Sequence, residues 1–390
     1  MASGRVGFSC ERRRRREEDW PHETEQIFGR ADLDWRHQVA YLSANGMARP
    51  LLGGLQDAAL IRWAPSFFSE RLRARAIQDG LGELMKREAL RRIADTLRAI
   101  GGRGVLLKGS AILVLEGSGA QASPIRATGD IDLYVDPPLA PVLRSRLLDV
   151  GFSGAADTMR SAPHHLAPVT FQGLPVEIHT AIMPAFWGLP EREMLAHACP
   201  IESMDPLDTL DPEGFLLHAG MHASTHLFTH GLKTPWDLRW MPERFEGLDW
   251  ERLTGWVQSS RVPRGFWVPV RVLCRELEIP MPLEFLARAP VDLRQRQLET
   301  IARARLFAAM EGAFDLNPFS KTAVFLLLHD SWRGWGGYLA SLVGWEAAEA
   351  RHSARHNVPG QAFTRLPQQL RQAWFHWQQY RRALARTTAD

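Results

Sequence analysis

Over residues 34–100 apolar positions recur at three- and four-residue spacing. Leu90, Ile93, Leu97 and Ile100 form one stripe, with Arg91, Arg92 and Asp95 between them. That is the helical period, and it predicts an N-terminal helical region that stops at Gly101-Gly102-Arg103-Gly104. The pattern then changes. Residues 105–107 are a short apolar run of the length of a buried strand, and Gly109 after it permits a sharp turn. Ser110 is placed to N-cap a helix opening at Ala111-Ile112-Leu113. Residues 130–135 alternate at period two, which as a strand puts Asp130 and Asp132 on one face and Ile131, Leu133 and Val135 on the other. Pro137 and Pro138 end that strand, and residues 139–150 read as a short amphipathic helix stopped by Gly151. Val169-Thr170-Phe171 and Val176-Glu177-Ile178-His179 flank Gln172-Gly173-Leu174-Pro175, which predicts a hairpin with a four-residue turn. Glu177 and His179 share one face of its second strand. From about Pro184 the helical period returns, interrupted by Pro and Gly loops.

The expected layout is therefore α+β. A small mixed β-sheet core over residues 101–183 is flanked by an N-terminal helical region, 31–100, and a C-terminal helical domain, 184–390. Residues 1–30 are polar and charged, with Arg12 to Arg16 followed by Glu17, Glu18 and Asp19, and read as a poorly ordered tail. No apolar segment follows those arginines, so they are not read as a secretory signal.

The chemistry sits in the predicted sheet. Two carboxylates one strand repeat apart, about 6–7 Å between Cα atoms, can converge on one divalent cation. Two acids in an otherwise apolar strand are costly unless paired or metal-bound, the alternative being a solvated strand edge. The helix start after Gly109-Ser110 offers unpaired N–H groups and the positive end of its dipole, which suits a triphosphate. Lys108 stands just before that turn.

Lys108-Gly109-Ser110 followed by Gly129-Asp130-Ile131-Asp132-Leu133 resembles the nucleotidyltransferases of the DNA polymerase β superfamily. The likeness is greatest to a large uncharacterised bacterial family within it, marked by a Leu-Lys-Gly strand end and an Arg-x-x-x-Asp-Ile-Asp-Leu strand. The resemblance places Arg126 at the arginine of that pattern, Asp130 and Asp132 at the metal carboxylates, and Glu177, in Leu174-Pro175-Val176-Glu177-Ile178-His179, at the third carboxylate. It implies two-metal catalysis with Mg²⁺ or Mn²⁺ held by Asp130, Asp132 and Glu177, and an NTP, ATP by preference, bound by Lys108, Gly109, Ser110 and Arg126. His179, beside Glu177, is left either to orient that carboxylate or to contact the acceptor. Lys233, in Gly231-Leu232-Lys233-Thr234-Pro235-Trp236-Asp237, lies in a segment similar to a basic stretch of the family, and reads equally as a phosphate contact or as a surface lysine before a helix. Asp237 reads as a residue that caps or orders that helix. The implied reaction moves a nucleoside monophosphate to a hydroxyl of a small molecule or a protein and releases pyrophosphate. The competing class is a nucleotide-binding regulator, or a partner-binding protein, on the same fold.

Composition narrows the partners. The 390 residues carry 47 Lys+Arg against 44 Asp+Glu, a net charge of +3. That balance disfavours long nucleic acid and leaves a small molecule or a protein as acceptor. Cys10, Cys199 and Cys274 are scattered and odd in number, which predicts a cytoplasmic protein without a disulfide framework. No apolar run is long enough to span a membrane. His218, His222, His226 and His230 recur at i, i+4, but each step drifts about 40° around a helix, so the outer pair cannot share an ion. Structural or hydrogen-bonding roles are expected for them. Trp332, Trp335, Tyr338, Leu339 and Leu342 read as core, and Trp374, Trp377 and Tyr380 as one face of a terminal helix.

Overall fold

The computed structural model describes residues 33–57, 60–116, 126–154, 164–226, 231–310 and 324–330, with Trp335 and Tyr338. The basic tail, His230, Trp332, Leu339, Leu342, Trp374, Trp377 and Tyr380 lie outside the described residues. No described helix is long and apolar enough to cross a membrane.

The N-terminal helices form a layer of their own. α1 (Trp35–Ala44) starts where the Asp34 side chain accepts the backbone N–H groups of Arg36 and His37. It packs with α2 (Ala48–Asp57) on the long helix α3 (Ser66–Ala99), around Val39, Ala48, Leu55, Phe68 and Leu72. The second half of α3 turns to the main core: Leu90, Ile93 and Leu97 are fully buried, as the apolar stripe predicts. The helix ends where Gly101 adopts φ +66°. There the N–H of Gly101 donates to Arg98 O at 3.1 Å and that of Gly102 to Leu97 O at 2.9 Å, the bonding of a Schellman stop.

That stop feeds β1 (Gly104–Leu107), a buried central strand. The sheet order is β3-β4-β5-β2-β1-β7-β6. β2 (Ile131–Val135) runs antiparallel to β1, with Leu107 opposite Asp132. β5 (Leu174–His179) runs parallel to β2, with Glu177 opposite Asp132 and His179 opposite Tyr134. β3 (Ser153–Gly154) and β4 (Val169–Phe171) complete that side. β6 (Cys199–Pro200) and β7 (Leu207–Thr209) complete the other, with β7 parallel to β1. The α+β architecture is the expected one, and the sheet is wider than the pattern suggests. β7 is only three residues long with Asp208 at its centre, so its alternation is too short to read. Arg103 fixes it, its guanidinium donating to both oxygens of Asp208 at 3.1 and 2.6 Å.

Two local expectations are revised. The β4–β5 hairpin turns on Gln172 (φ +50°) and Gly173 (φ +85°) alone, so Leu174 and Pro175 belong to β5 and the turn is a tight two-residue one. The helix after β1, α4 (Lys108–Glu116), begins at Lys108, so Ser110 is not its N-cap.

α5 (Ala140–Asp149) packs on α3 and on β4 and β5. After α6 (Glu191–Ala196), α7 (Pro212–Thr225) starts at the Asp211 carboxylate, which accepts the Gly214 N–H at 2.9 Å. α7 is buried along nearly its whole length. α8 (Lys233–Arg244), α9 (Trp250–Ser259) and α10 (Pro263–Glu276) surround it, and α11 (Leu283–Leu286) and α12 (Leu293–Met310) follow. The α7–α10 crossing is close. The Ser224 hydroxyl donates to Gly265 O at 2.6 Å, and a Cβ on Gly220 would stand 2.6 Å from the Phe266 ring.

Gly220→Ala should therefore destabilise the protein by about 1–3 kcal/mol, because overpacking outweighs the roughly 1 kcal/mol that alanine gains in a helix. Phe266→Leu in the same chain should restore part of it. Thermal unfolding of the single and double variants checks this, and a single variant at or above wild-type stability would show that the crossing is loose.

Candidate active site

The site grows from the β2–β5 pairing. Period-two alternation sends Asp132 from β2 and Glu177 and His179 from β5 to one face of the sheet. Asp132 is 2% exposed, and such a charge must be matched by partners. Lys108 Nζ donates to Asp132 Oδ1 at 2.6 Å, and His179 Nε2 lies 3.0 Å from the same oxygen. The Asp132 backbone N–H donates to Ser110 Oγ at 3.0 Å, the use the buried serine finds in place of capping. His179 Nε2 also stands 3.6 Å from Glu177 Oε2.

These contacts set the ionisation. Burial works against charge on Asp132, but the Lys108 ammonium and then the His179 hydrogen bond outweigh it and hold the carboxyl below its ordinary range. Burial likewise opposes the charges of Lys108 and His179. Asp132 reverses this for Lys108, and Asp132 with Glu177 reverses it for His179, so both pKa values are raised. The His179 hydrogen bond lowers that of Glu177. Asp130 stands at the lip, half-buried, just before β2. Burial, and then the charge of Asp132, push its carboxyl up.

Residues 126–130, which lead into β2, are gripped from both helical layers. From the N-terminal side, Ala127 N–H donates to Gly46 O at 2.8 Å, and buried Lys86 of α3 donates to the Thr128 carbonyl and, at 2.6 Å, to its hydroxyl. From the C-terminal side, Asp237 of α8 accepts two bonds from Arg126, Nε to Oδ1 at 2.5 Å and the second fork nitrogen to Oδ2 at 2.6 Å, both residues buried. Asp237 thus serves Arg126 and not its own helix start, and the fork expected on phosphate is engaged by a carboxylate. Asn45 ties the layers together by accepting the Leu232 N–H at 3.0 Å, next to Lys233. Lys233, the first residue of α8, is half-buried. Burial, then the neighbouring Arg126 charge, lower its pKa, while Asp130 pulls it up. Burial lowers that of Lys86 to about 8. Gly109 is required by the same packing, since a Cβ there would meet Thr128 Cγ2 at 2.0 Å.

Sequence reasoning missed Lys86 and the imidazoles that crowd His179. The rings of His164 and His165 lie 5.5 and 5.3 Å from that of His179. Backbone bonds fix them there: Thr180 N–H to His164 O at 2.8 Å and Leu166 N–H to Ile178 O at 2.9 Å. The available signal was two adjacent histidines a short step ahead of a strand that carries a third. His218, first of the i, i+4 stripe, is 1% exposed, and its electrostatic neighbours are Lys108, Asp132, His179 and His164. The stripe therefore ends at the site, with the His222 ring tilted against His218 at 5.8 Å and the His226 ring against His222 at 4.5 Å. Burial pushes His164 and His218 each down to about 3. His164 Nδ1, His179 Nδ1 and His218 Nε2 are buried with no hydrogen-bond partner among the described residues.

One group of donors converges. Ligand atoms of Asp132, Glu177 and His179 all lie within 4.8 Å of one another, and among the described residues this is the group that could hold a metal ion. His179 Nε2 stands 3.0 and 3.6 Å from the two carboxylate oxygens, separations that two donor bonds of about 2.0–2.2 Å to a single cation can span. Asp130 is outside the group.

Two outcomes test this packing and electrostatics. Gly109→Ala should cost about 1–3 kcal/mol, and Thr128→Ser, which removes the clashing methyl but keeps the hydroxyl for Lys86, should recover part of it, read by urea unfolding. An unchanged double variant would locate the clash elsewhere. His218, neutral in the folded chain, takes up a proton near its ordinary 6.5 only on unfolding. The stability it contributes is complete above that pH and is lost as pH falls toward about 3. Between pH 7 and 5 the wild type should therefore lose stability more steeply than His218→Gln, by up to about 1.4 kcal/mol per pH unit. Parallel slopes would show that His218 is not held neutral.

A family model described as an uncharacterised nucleotidyltransferase matches residues 31–275, more than half of the chain. No curated protein matches it. The matched span runs from the N-terminal helices through the whole described sheet and most of α10, so Lys86, Lys108, Arg126, Asp130, Asp132, the histidines and Lys233 all fall inside it. On that match the chain belongs to the uncharacterised nucleotidyltransferase family, whose activity class is nucleotidyl transfer.

Proposed function

We propose that the protein moves a nucleoside monophosphate from an NTP, ATP by preference, to a hydroxyl of a small molecule or protein, and releases pyrophosphate. The observation that carries this reading is the buried convergence of Asp132, Glu177 and His179 beside the Lys108 ammonium at the β1–α4 junction. Asp132 and Glu177, with Asp130 at the lip, would hold Mg²⁺ or Mn²⁺. When bound, such a cation neutralises the triphosphate and lowers the pKa of the acceptor hydroxyl.

The chain's own residues divide the remaining work. The charges of Lys108 and Lys233 both act on Asp130, and these are the ammonium groups offered to the β- and γ-phosphates. The first turn of α4 adds the backbone N–H groups of Gly109 and Ser110, which have no partners within the helix. Arg126 acts through Asp237, as a strut that holds residues 126–130 in place. In the transfer, an acceptor oxygen forms a bond to the α-phosphorus as the bond from that phosphorus to the pyrophosphate oxygen breaks. The hydroxyl proton leaves toward Glu177, the more exposed of the two carboxylates. Near-neutral net charge supports a small molecule or a protein over long nucleic acid as acceptor.

The test uses ATP labelled at either phosphate, with cell extract as acceptor source. Label from the α position should appear on an acceptor, and label from the γ position in pyrophosphate. Asp132→Asn should reduce transfer to background while circular dichroism stays native. Lys233→Ala should weaken ATP binding roughly 10- to 100-fold, the loss of one charge-assisted hydrogen bond. γ-Label on the acceptor would make the chain a phosphotransferase. ATP binding without transfer to any acceptor would favour the nucleotide-binding regulator.

A further inference from the structure

His179 stands where a metal ligand stands. Its Nε2 points between two carboxylates, 3.0 Å from Asp132 Oδ1 and 3.6 Å from Glu177 Oε2. It is 2% exposed and lies on a strand paired with β2, so it has little room to turn away. The carboxylate that would complete an all-oxygen set, Asp130, is not within the converging group. Two carboxylates and one imidazole make a donor set that differs in kind from three carboxylates. Mg²⁺ takes oxygen ligands in near-octahedral geometry, whereas imidazole suits first-row transition ions.

The far side of the ring supplies a second observation. His179 Nδ1 is buried without a partner, and so is Nδ1 of His164, whose ring centre is 5.5 Å away. A metal-bound histidine ordinarily donates its other N–H to an acceptor that fixes the ring. Neither nitrogen bonds the other in this structure; with Nε2 on a cation, His179 Nδ1 carries the ring proton, and His164 Nδ1 is an unpartnered buried acceptor on the adjacent ring.

We propose that His179 binds the catalytic cation directly through Nε2, with His164 as its positioning partner, and that the site consequently selects a transition ion of the Mn²⁺ class over Mg²⁺. This rests on the cation site of the nucleotidyl-transfer reading. It concerns only the ligand atoms, and it is read without turnover.

The experiment is electron spin-echo spectroscopy of the full chain loaded with Mn²⁺ alone. The wild type should show ¹⁴N modulation of an imidazole ligand, changed when histidine is supplied as the ¹⁵N form. His179→Gln should abolish it, and His165→Gln should retain it. His164→Gln should retain the modulation but weaken Mn²⁺ binding roughly 10- to 100-fold, as loss of an outer partner does. In competition the wild type should prefer Mn²⁺ to Mg²⁺ by about tenfold or more, and His179→Gln should fall toward parity. Bound Mn²⁺ with no nitrogen modulation in the wild type would overturn the proposal, and that measurement does not depend on any variant folding. Modulation that survives His179→Gln would overturn it too, as would a wild type that binds no Mn²⁺. Nitrogen coupling present while labelled ATP gives no transfer would sink the transfer reading and leave the ligand assignment standing.

Discussion

Asp132 is a fully buried carboxylate in the middle of an apolar strand, and the surrounding structure is arranged to keep it charged. Stripping water from such a group costs several kcal/mol unless opposite charge and donors replace it. Here the replacements are the Lys108 ammonium at the β1–α4 junction and His179 from the neighbouring strand, while the Ser110 hydroxyl accepts the strand's own N–H. Each partner is in turn buried and costs free energy to place. The register of β1, β2 and β5 is thereby coupled to one charge: a slip of one residue in any of them would turn its site residues to the opposite face.

The two helical regions are part of that arrangement. The backbone ahead of β2 is pinned by Gly46 and Lys86 from one side and by Asp237, through Arg126, from the other. The Arg126–Asp237 pair is bidentate and buried, a geometry in which removing either partner strands a charge and costs roughly 3–5 kcal/mol. Such a pair adds little net stability over an apolar one, but it fixes where Asp130 stands. Lys233 reaches the same place because Asn45 holds the residue before it. The separation between Asp130 and Lys233 is thus set by contacts between sheet and helices.

What the sequence conveyed follows from range. Features governed by local period were readable: the buried stripe of α3, the strand alternation that puts Asp132 on one face, and the pairing of Glu177 with His179. Features that depend on a distant partner were not. Arg126 looks like a phosphate ligand until Asp237, 111 residues later, appears on its fork. Gly109 looks like a nucleotide-approach glycine, and the nearest obstacle to a side chain is Thr128. Ser110 has the composition of an N-cap, and its oxygen is claimed by Asp132 N–H. His164 and His165 sit outside any regular strand, so no periodicity marks them, and only the β5 pairing brings them to His179. The histidine stripe was legible as a stripe, but its end point at Lys108 and Asp132 was not.

Lys108 shows where function presses hardest on the fold. It has φ +50°, a left-handed conformation that glycine would adopt without strain and that costs other residues of order 1–3 kcal/mol. Glycine is in fact the next residue, so the chain holds the permissive side chain and the strained backbone at adjacent positions. Exchanging the two would relieve the backbone but would move the ammonium away from Asp132 and press a long side chain against Thr128. The left-handed turn is therefore the geometry in which a single residue can end β1, start α4 and place a cation on Asp132. In the proposed reaction the ammonium that neutralises this carboxylate is also the one offered to a phosphate. Backbone strain and buried charge meet at that residue, and the rest of the site is spaced around it.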